Sequence, residues 1–404
     1  MTRKLLVVVL VFLLYGIFFG QVISGNLAQL ANQEVKLEGF NGLTTYPISN
    51  TKLDDQGNFN ISYSKSDRGI GYLIAADNKP LFVILSGENF EIKGETLSDT
   101  ESIKILKGQE NKWFEQYTAE HRKREQALSA WIYLEKMYAT DILFAKQQSL
   151  HQSIQKERQR IQDEDTSYLA SLPKNSYVSW FLPIRKLVSS VSLVAQYRPE
   201  EIPSTLAAFR KLDYADARLY KSGLFKDAID NHFWLLENSG KPLYGIVVEM
   251  KTSIDVLYKN ASNDNAKLNE VTTYLFDLLE RQSLFQASEY LALKVLNGSA
   301  FTVDKNLAQK LEMYHTMKNG NTAPDILFKG DILAPGYEPK NSPKKLSDIK
   351  SKYTVVVFGA GWCPKCTEEL PEIAEFYSKW KQKSIEVVFV SLDENKLQYE
   401  GFAK

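Results

Sequence analysis

The chain reads as three consecutive parts: a β-rich N-terminal part, an all-helical middle and an α/β C-terminal part. Three observations predict this. Between about residues 30 and 96, short apolar runs and apolar–polar alternation are separated by Gly-, Asp- and Asn-containing turns. From about 100 to 320, glycine becomes scarce and Glu, Lys, Gln, Ala and Leu dominate. Near the end, Val355-Val-Val-Phe358 is followed by Gly359-Ala-Gly361 and then by an amphipathic stretch: strand, tight turn, helix.

Composition narrows the classes. With 404 residues, two or three domains are expected. An apolar content of 44% and an aromatic content of 12% suffice for packed cores. The net charge is +0, from 49 basic and 49 acidic residues, so nothing points to a nucleic-acid partner. Two cysteines exclude a disulfide-stapled scaffold. With His121, His151, His232 and His315 scattered singly, they also argue against structural zinc, which wants four ligands.

Residues 1–24 read as an export segment. Arg3-Lys4 precede an apolar run from Leu5 to Phe19, and small and polar residues follow around Val22-Ile-Ser24. The run is long for a cleaved signal and short for a spanning helix, so an uncleaved membrane anchor is the alternative. No cysteine lies near it, which excludes a bacterial lipoprotein. In either case the following residues are exported, and Arg3 and Lys4 stay in the cytoplasm.

The first folded part, 25–100, is expected to be a sandwich-like all-β domain. Val35, Leu37 and Phe40 open it; Phe59, Ile61 and Tyr63 alternate with polar residues after Asp54-Asp-Gln-Gly57. Tyr72–Ala76, Leu81–Leu85 and the stretch from Phe90 to Ile92 complete five or six strands. The second part, 101–320, is expected to be all-α. A long helical stretch from Trp113 to about Asp165 breaks near Tyr138–Asp141. Helices follow at Val178–Gln196, Pro203–Leu212, Phe225–Asn238, Leu243–Lys259, Ala266–Arg281, Phe285–Leu296 and Lys305–Met317. Leu143, Leu150, Ile154 and Ile161 suit a core face better than a two-helix seam or partner groove. Trp180-Phe181, Phe233-Trp234 and Tyr274–Phe276 read as core.

The third part, 321–404, carries the chemistry. Val355–Phe358 has the pattern of a strand buried on both faces. Both cysteines sit where the helix should open. Unpaired N–H groups and the positive dipole end there favour an anion, so a Cys363 thiolate is stabilised and its pKa is drawn down. Lys365 adds a positive charge nearby or points to solvent. Pro364 suits the first helical position, which needs no donor. Cys366, one turn on, can reach Cys363, so the pair can cycle between dithiol and disulfide, with Cys363 attacking and Cys366 resolving. Glu369 reads either as a proton acceptor for Cys366 or as a solvated first-turn carboxylate. Trp362 supplies a flat apolar wall. No cofactor is expected beyond the Cys363–Cys366 redox disulfide.

The pattern Phe358-x-x-x-Trp362-Cys363-Pro364-Lys365-Cys366-x-x-Glu369-Leu370-Pro371, followed by Val387-Val-Phe-Val-Ser-Leu-Asp393, resembles the thioredoxin fold. It is most similar to the membrane-tethered thiol–disulfide oxidoreductases of the TlpA and ResA type, related to AhpC/TSA proteins. Glu369-Leu-Pro371 is similar to that subgroup's signature. Ala323-Pro324-Asp325 and Leu346-Ser-Asp-Ile-Lys350 resemble its lead-in. Asp55-x-Gly57-x-Phe59 and the segment from Gly87 to Gly94 resemble a β-domain found ahead of envelope thioredoxins. The resemblance covers about residues 322–404 and implies an incomplete fold. No proline follows Pro371, so the family's cis-proline loop has no counterpart, and a fragment of a longer product is expected. It implies reduction of disulfide-bearing proteins in the periplasm or cell envelope, with electrons from a membrane thiol donor. Cytochrome c apoproteins are one known substrate class. The alternative is an envelope binding or scaffold protein with a residual thioredoxin-like part. A peroxidase of the peroxiredoxin kind is disfavoured, because Gly359-Ala-Gly-Trp362 rather than a Thr-x-x-Cys context leads to Cys363.

Overall fold

A computed structural model describes residues 20–76, 79–139, 141–146, 148–297, 305–316, 320–329, 332–334 and 338–393. The apolar run from Leu5 to Phe19 lies outside the described residues. The chain divides into two compact units, Met1–Leu311 and Glu312–Lys404.

In the first unit eight strands form two sheets: β1 (Gln21–Leu27), β2 (Glu34–Asn41), β3 (Thr44–Lys52), β4 (Asn58–Tyr63), β5 (Gly69–Ile74), β6 (Leu81–Leu85), β7 (Phe90–Gly94) and β8 (Lys104–Lys107). One sheet has the order β4-β1-β7-β8 and the other β3-β2-β5-β6. Alternation sends Ile23, Phe59, Ile61 and Ile92 of the first sheet against Val35, Leu37, Leu73 and Val83 of the second, in one buried core.

Two readings of this region need correction. Gln21–Ser24, assigned above to the export segment, lie in β1, paired with β4 and β7. Ile23 and Leu27 of that strand are fully buried, so the apolar character around Val22 belongs to the core. Strands β3 and β8 were not anticipated either. β3 carries Pro47, which cannot donate to a ladder and is tolerated because β3 is an edge strand. β8 has only four residues.

The helices are α1 (Gln109–Tyr138), α2 (Ile142–Ala145), α3 (Gln148–Ser171), α4 (Tyr177–Ser189), α5 (Val191–Tyr197), α6 (Ile202–Lys211), α7 (Ala217–Tyr220), α8 (Phe225–Glu237), α9 (Leu243–Ala261), α10 (Asn265–Arg281), α11 (Phe285–Leu296) and α12 (Lys305–Thr316). The long stretch breaks between Tyr138 and Ile142, as expected, and a second time, not expected, between Ala145 and Gln148. The single helix expected over Val178–Gln196 is instead α4 and α5, bent by 42° at Ser190. There Asn231 Nδ2 donates to Val188 O at 3.0 Å and takes up a carbonyl at the bend. Ile154 and Ile161 are buried, whereas Leu143 is 72% exposed, so the apolar spacing is a core face over only part of its length. Phe181, Phe233 and Phe276 are core, while Trp234 is 38% exposed. Among the described residues no single helix is long and apolar enough to cross a membrane.

The β and helical parts share one unit through specific contacts. The Phe82 ring on β6 stacks on Phe114 of α1 at 4.9 Å, and Phe181 of α4 lies 5.9 Å from Phe82. Strand β6 is a sheet edge, which exposes unpaired backbone groups. Asn111 at the start of α1 covers it: Asn111 Oδ1 accepts from Ile84 N at 2.8 Å, and Nδ2 donates to Ile84 O at 2.9 Å. The buried amide replaces a neighbouring strand.

The second unit begins with an irregular lead-in. Asp325 accepts from Ser347 N at 2.9 Å and from Ser347 Oγ at 2.7 Å, holding the Ala-Pro-Asp segment against the turn Leu346–Asp348. Strand β9 (Tyr353–Gly359), helix α13 (Pro364–Lys381) and strand β10 (Ile385–Ser391) follow. The two strands are parallel, with Val357 opposite Phe389 and Gly359 opposite Ser391. The expectation that Val355–Phe358 is buried on both faces is not met. Val355–Val357 are only partly buried, and Phe358 is 56% exposed. Among the described residues β9 has one partner strand and one covering helix.

Candidate active site

The site is the turn from Gly359 to Cys363, where β9 delivers the chain into α13. Gly359 is required by space: a Cβ there would lie 2.8 Å from the Phe389 ring and 3.4 Å from Cys366 Sγ. The next residue, Ala360, is buried, and its carbonyl accepts from Cys363 N at 3.1 Å. Gly361 N points at the Asp393 carboxylate, 3.0 Å from each oxygen. Cys363 is then the N-cap of α13 and Pro364 its first residue. The ring that cannot donate stands where no donor is needed.

Cys363 caps with sulfur. Its Sγ accepts from Cys366 N at 3.3 Å, the role a Ser or Asp oxygen plays at ordinary helix starts. Thr367 N donates to Cys363 O at 3.2 Å, closing the first turn. Both cysteines are unbridged and half-buried.

The two thiols are driven apart in acidity. The Cys366 thiol donating to Cys363 is the main cause holding the Cys363 pKa below its ordinary value, and the N–H groups of Cys366 and Lys365 add to it. The same hydrogen bond is the main cause raising Cys366, because the donor must stay protonated. The Glu369 charge opposes thiolate formation at both sulfurs. The more acidic and the less acidic sulfur thus lie one helical turn apart.

The other residues singled out from sequence fall around this pair. Lys365 sends its ammonium to Glu368 and Glu369, 3.4 Å from each, so it contributes a backbone N–H at the thiol while its charge is held by carboxylates. Glu369 is that ion-pair partner, with its side chain 57% exposed. Trp362 is 67% exposed on the turn. Pro371 lies inside α13, which runs on to Lys381. Asp393 had stood out only as the end of a similar motif. Its signal was an acid just past the second apolar strand, and only the parallel pairing of β10 with β9 brings it to the turn. Among the described residues no group of His, Cys, Asp and Glu could hold a metal ion.

A strand-to-helix turn presenting a Cys-x-x-Cys dithiol at a helix N-cap defines the class. Residues 320–404 match the AhpC/TSA family, and this C-terminal segment is similar to thiol–disulfide oxidoreductases of the ResA type. The relatives include thiol-disulfide oxidoreductase ResA of Oceanobacillus iheyensis, 30% identical over 119 residues, covering 30% of this chain and 57% of that protein. ResA of Geobacillus kaustophilus is 32% identical over 85 residues, covering 21% and 44%. A probable nucleoredoxin 2 of Oryza sativa is 28% identical over 98 residues, covering 24% of each. The chain thus spans about half the length of the ResA proteins it matches. No solved structure matches.

Proposed function

We propose that the protein is an exported thiol–disulfide oxidoreductase that reduces disulfides of cell-envelope proteins. The observation that carries this is the Cys363 sulfur at the N-cap of α13, accepting from Cys366 N at 3.3 Å. A sulfur so placed is a stabilised thiolate beside a protonated neighbour, the state in which a dithiol attacks.

The Cys363 thiolate attacks one sulfur of a client disulfide; a Cys363–client bond forms and the client S–S bond breaks. The released client thiolate takes a proton from solvent. Cys366 then loses its proton, to Glu369 or water, and attacks Cys363 Sγ. The second client thiolate leaves and is protonated. The client gains two electrons and two protons, and the chain is left with a Cys363–Cys366 disulfide. A membrane thiol donor returns it to the dithiol by the same exchange in reverse order. Trp362, exposed beside Cys363, offers the client an apolar surface. The apolar run from Leu5 to Phe19, following Arg3-Lys4, supports export to the periplasm, as a cleaved signal or as a tether. The names of the ResA relatives support the reaction class.

Insulin reduction by the full chain tests the reaction. Cys363→Ser should lower the rate by more than about 100-fold, since the nucleophile is gone. Cys366→Ser should instead trap client proteins in complexes released by dithiothreitol. Equal rates for wild type and Cys363→Ser would leave only a binding or scaffold role in the envelope.

A further inference from the structure

We propose that Asp393 is a positioning residue for the Cys363 thiol, acting through the backbone of Gly361. The end of β10 grips the turn at two points. Leu392 N donates to Gly359 O at 2.8 Å, and Gly361 N donates to the Asp393 carboxylate, 3.0 Å from both oxygens. The carboxylate is itself oriented: Ser391 Oγ donates to Asp393 Oδ2 at 2.9 Å, and Asp393 N donates back to Ser391 Oγ at 3.1 Å. A charged acceptor makes the stronger kind of hydrogen bond to an N–H. Between Gly361 and Cys363 lies only Trp362, which is exposed and packs too little to hold the turn. The approach of Cys363 Sγ to Cys366 N, which stabilises the thiolate, therefore depends on a turn anchored from the neighbouring strand.

The carboxylate's charge and its geometry act in opposite directions. A negative charge close to a thiol disfavours the thiolate, whereas a fixed turn keeps the sulfur against its donor. The contribution proposed here is the geometric one. Asparagine keeps an acceptor for Gly361 N and removes the charge; alanine removes both.

This inference rests on the redox reading for its consequence, but its test does not. The full chain in dithiol form is alkylated with iodoacetamide across pH, with the adduct at Cys363 followed by mass spectrometry. In Asp393→Ala the Cys363 pKa should rise and alkylation near pH 7 should slow by about three- to tenfold, since only the thiolate reacts. Asp393→Asn should stay within about twofold of wild type, because the acceptor remains. Ser391→Ala, which unlocks the carboxylate while leaving it in place, should fall between them and keeps the test sound if Asp393→Ala folds poorly. A wild-type profile in Asp393→Ala, or equal shifts in the Ala and Asn variants, overturns the positioning role. A wild-type chain that fails to reduce insulin sinks the redox reading while the alkylation profiles still report on Asp393.

Discussion

The two units solve the problem of order by different means. In Met1–Leu311, order comes from burial: Ile23, Leu37, Phe181, Phe209, Phe233 and Phe276 are each at most 1% exposed, and the sheet that holds β6 interlocks with α1 and α4 through aromatic rings. In Glu312–Lys404, only Pro343, Gly359 and Ala360 are buried among the described residues, and the site is held by hydrogen bonds from β10, by a proline at a helix start and by a sulfur cap. Packing tolerates small shifts of many atoms, whereas a cap works only if one donor meets one acceptor. A reactive group that must stay accessible cannot be ordered by burying it.

That contrast can be broken or sharpened by measurement. The largest effect expected lies in the packed unit. Phe181→Ala should cost about 3–5 kcal/mol in urea unfolding, as other buried Phe truncations do, while leaving Cys363 alkylation unchanged. Loss of thiol reactivity alongside stability would show that the two units are not ordered separately.

Asn111→Leu should cost about 2–3 kcal/mol, because it strands the N–H and C=O of Ile84 at a buried sheet edge. A neutral outcome would mean that water reaches that edge.

A third expectation concerns pH. His232 is fully buried, with Nε2 3.0 Å from Ser253 Oγ, the Phe209 ring stacked on it and Nδ1 unpartnered. Burial, helped by the nearby Arg210, lowers its pKa from 6.5 to about 3. The folded state thus holds the ring neutral where the unfolded chain binds a proton. Its contribution is complete above pH 6.5 and falls by up to about 1.4 kcal/mol per pH unit as pH drops toward 3. Stability in urea should follow that slope, and His232→Phe should flatten it. A slope identical in both proteins would assign acid lability elsewhere.

The smallest effect is expected at Lys365. Its ammonium is held by Glu368 and Glu369 and its side chain is 70% exposed, so Lys365→Ala should change Cys363 alkylation by less than about twofold. A larger loss would mean that the charge, and not the backbone N–H, supports the thiolate.

Much of the molecule was readable before folding, and the misses have physical causes. Six of the seven helices expected after Leu172 lie close to their observed ends, because Pro199, Gly240–Pro242 and Asn297 interrupt clear apolar spacing. The bend at Ser190 was not readable, since it is stabilised by Asn231, a residue on another helix. Strand β1 was absorbed into the export segment because a signal tail and a short core strand share the same composition. Edge strand β3 was hidden by Pro47. In the site, Cys363, Pro364 and Cys366 were legible because their geometry is local to one turn. The anchoring acid, thirty residues on, was not.

The sequence by itself determined the dithiol's place: a proline-led helix start after an apolar strand and a Gly-Ala-Gly turn puts two sulfurs one turn apart, by spacing alone. Tertiary structure decided what surrounds that pair. It joined the β and helical parts through Phe82, Phe114 and Asn111, exposed a strand that composition had read as buried, turned the Lys365 charge toward carboxylates, and brought Asp393 to Gly361. Contacts within a helical turn follow from backbone geometry, whereas contacts between distant segments exist only once strands have paired and faces have packed.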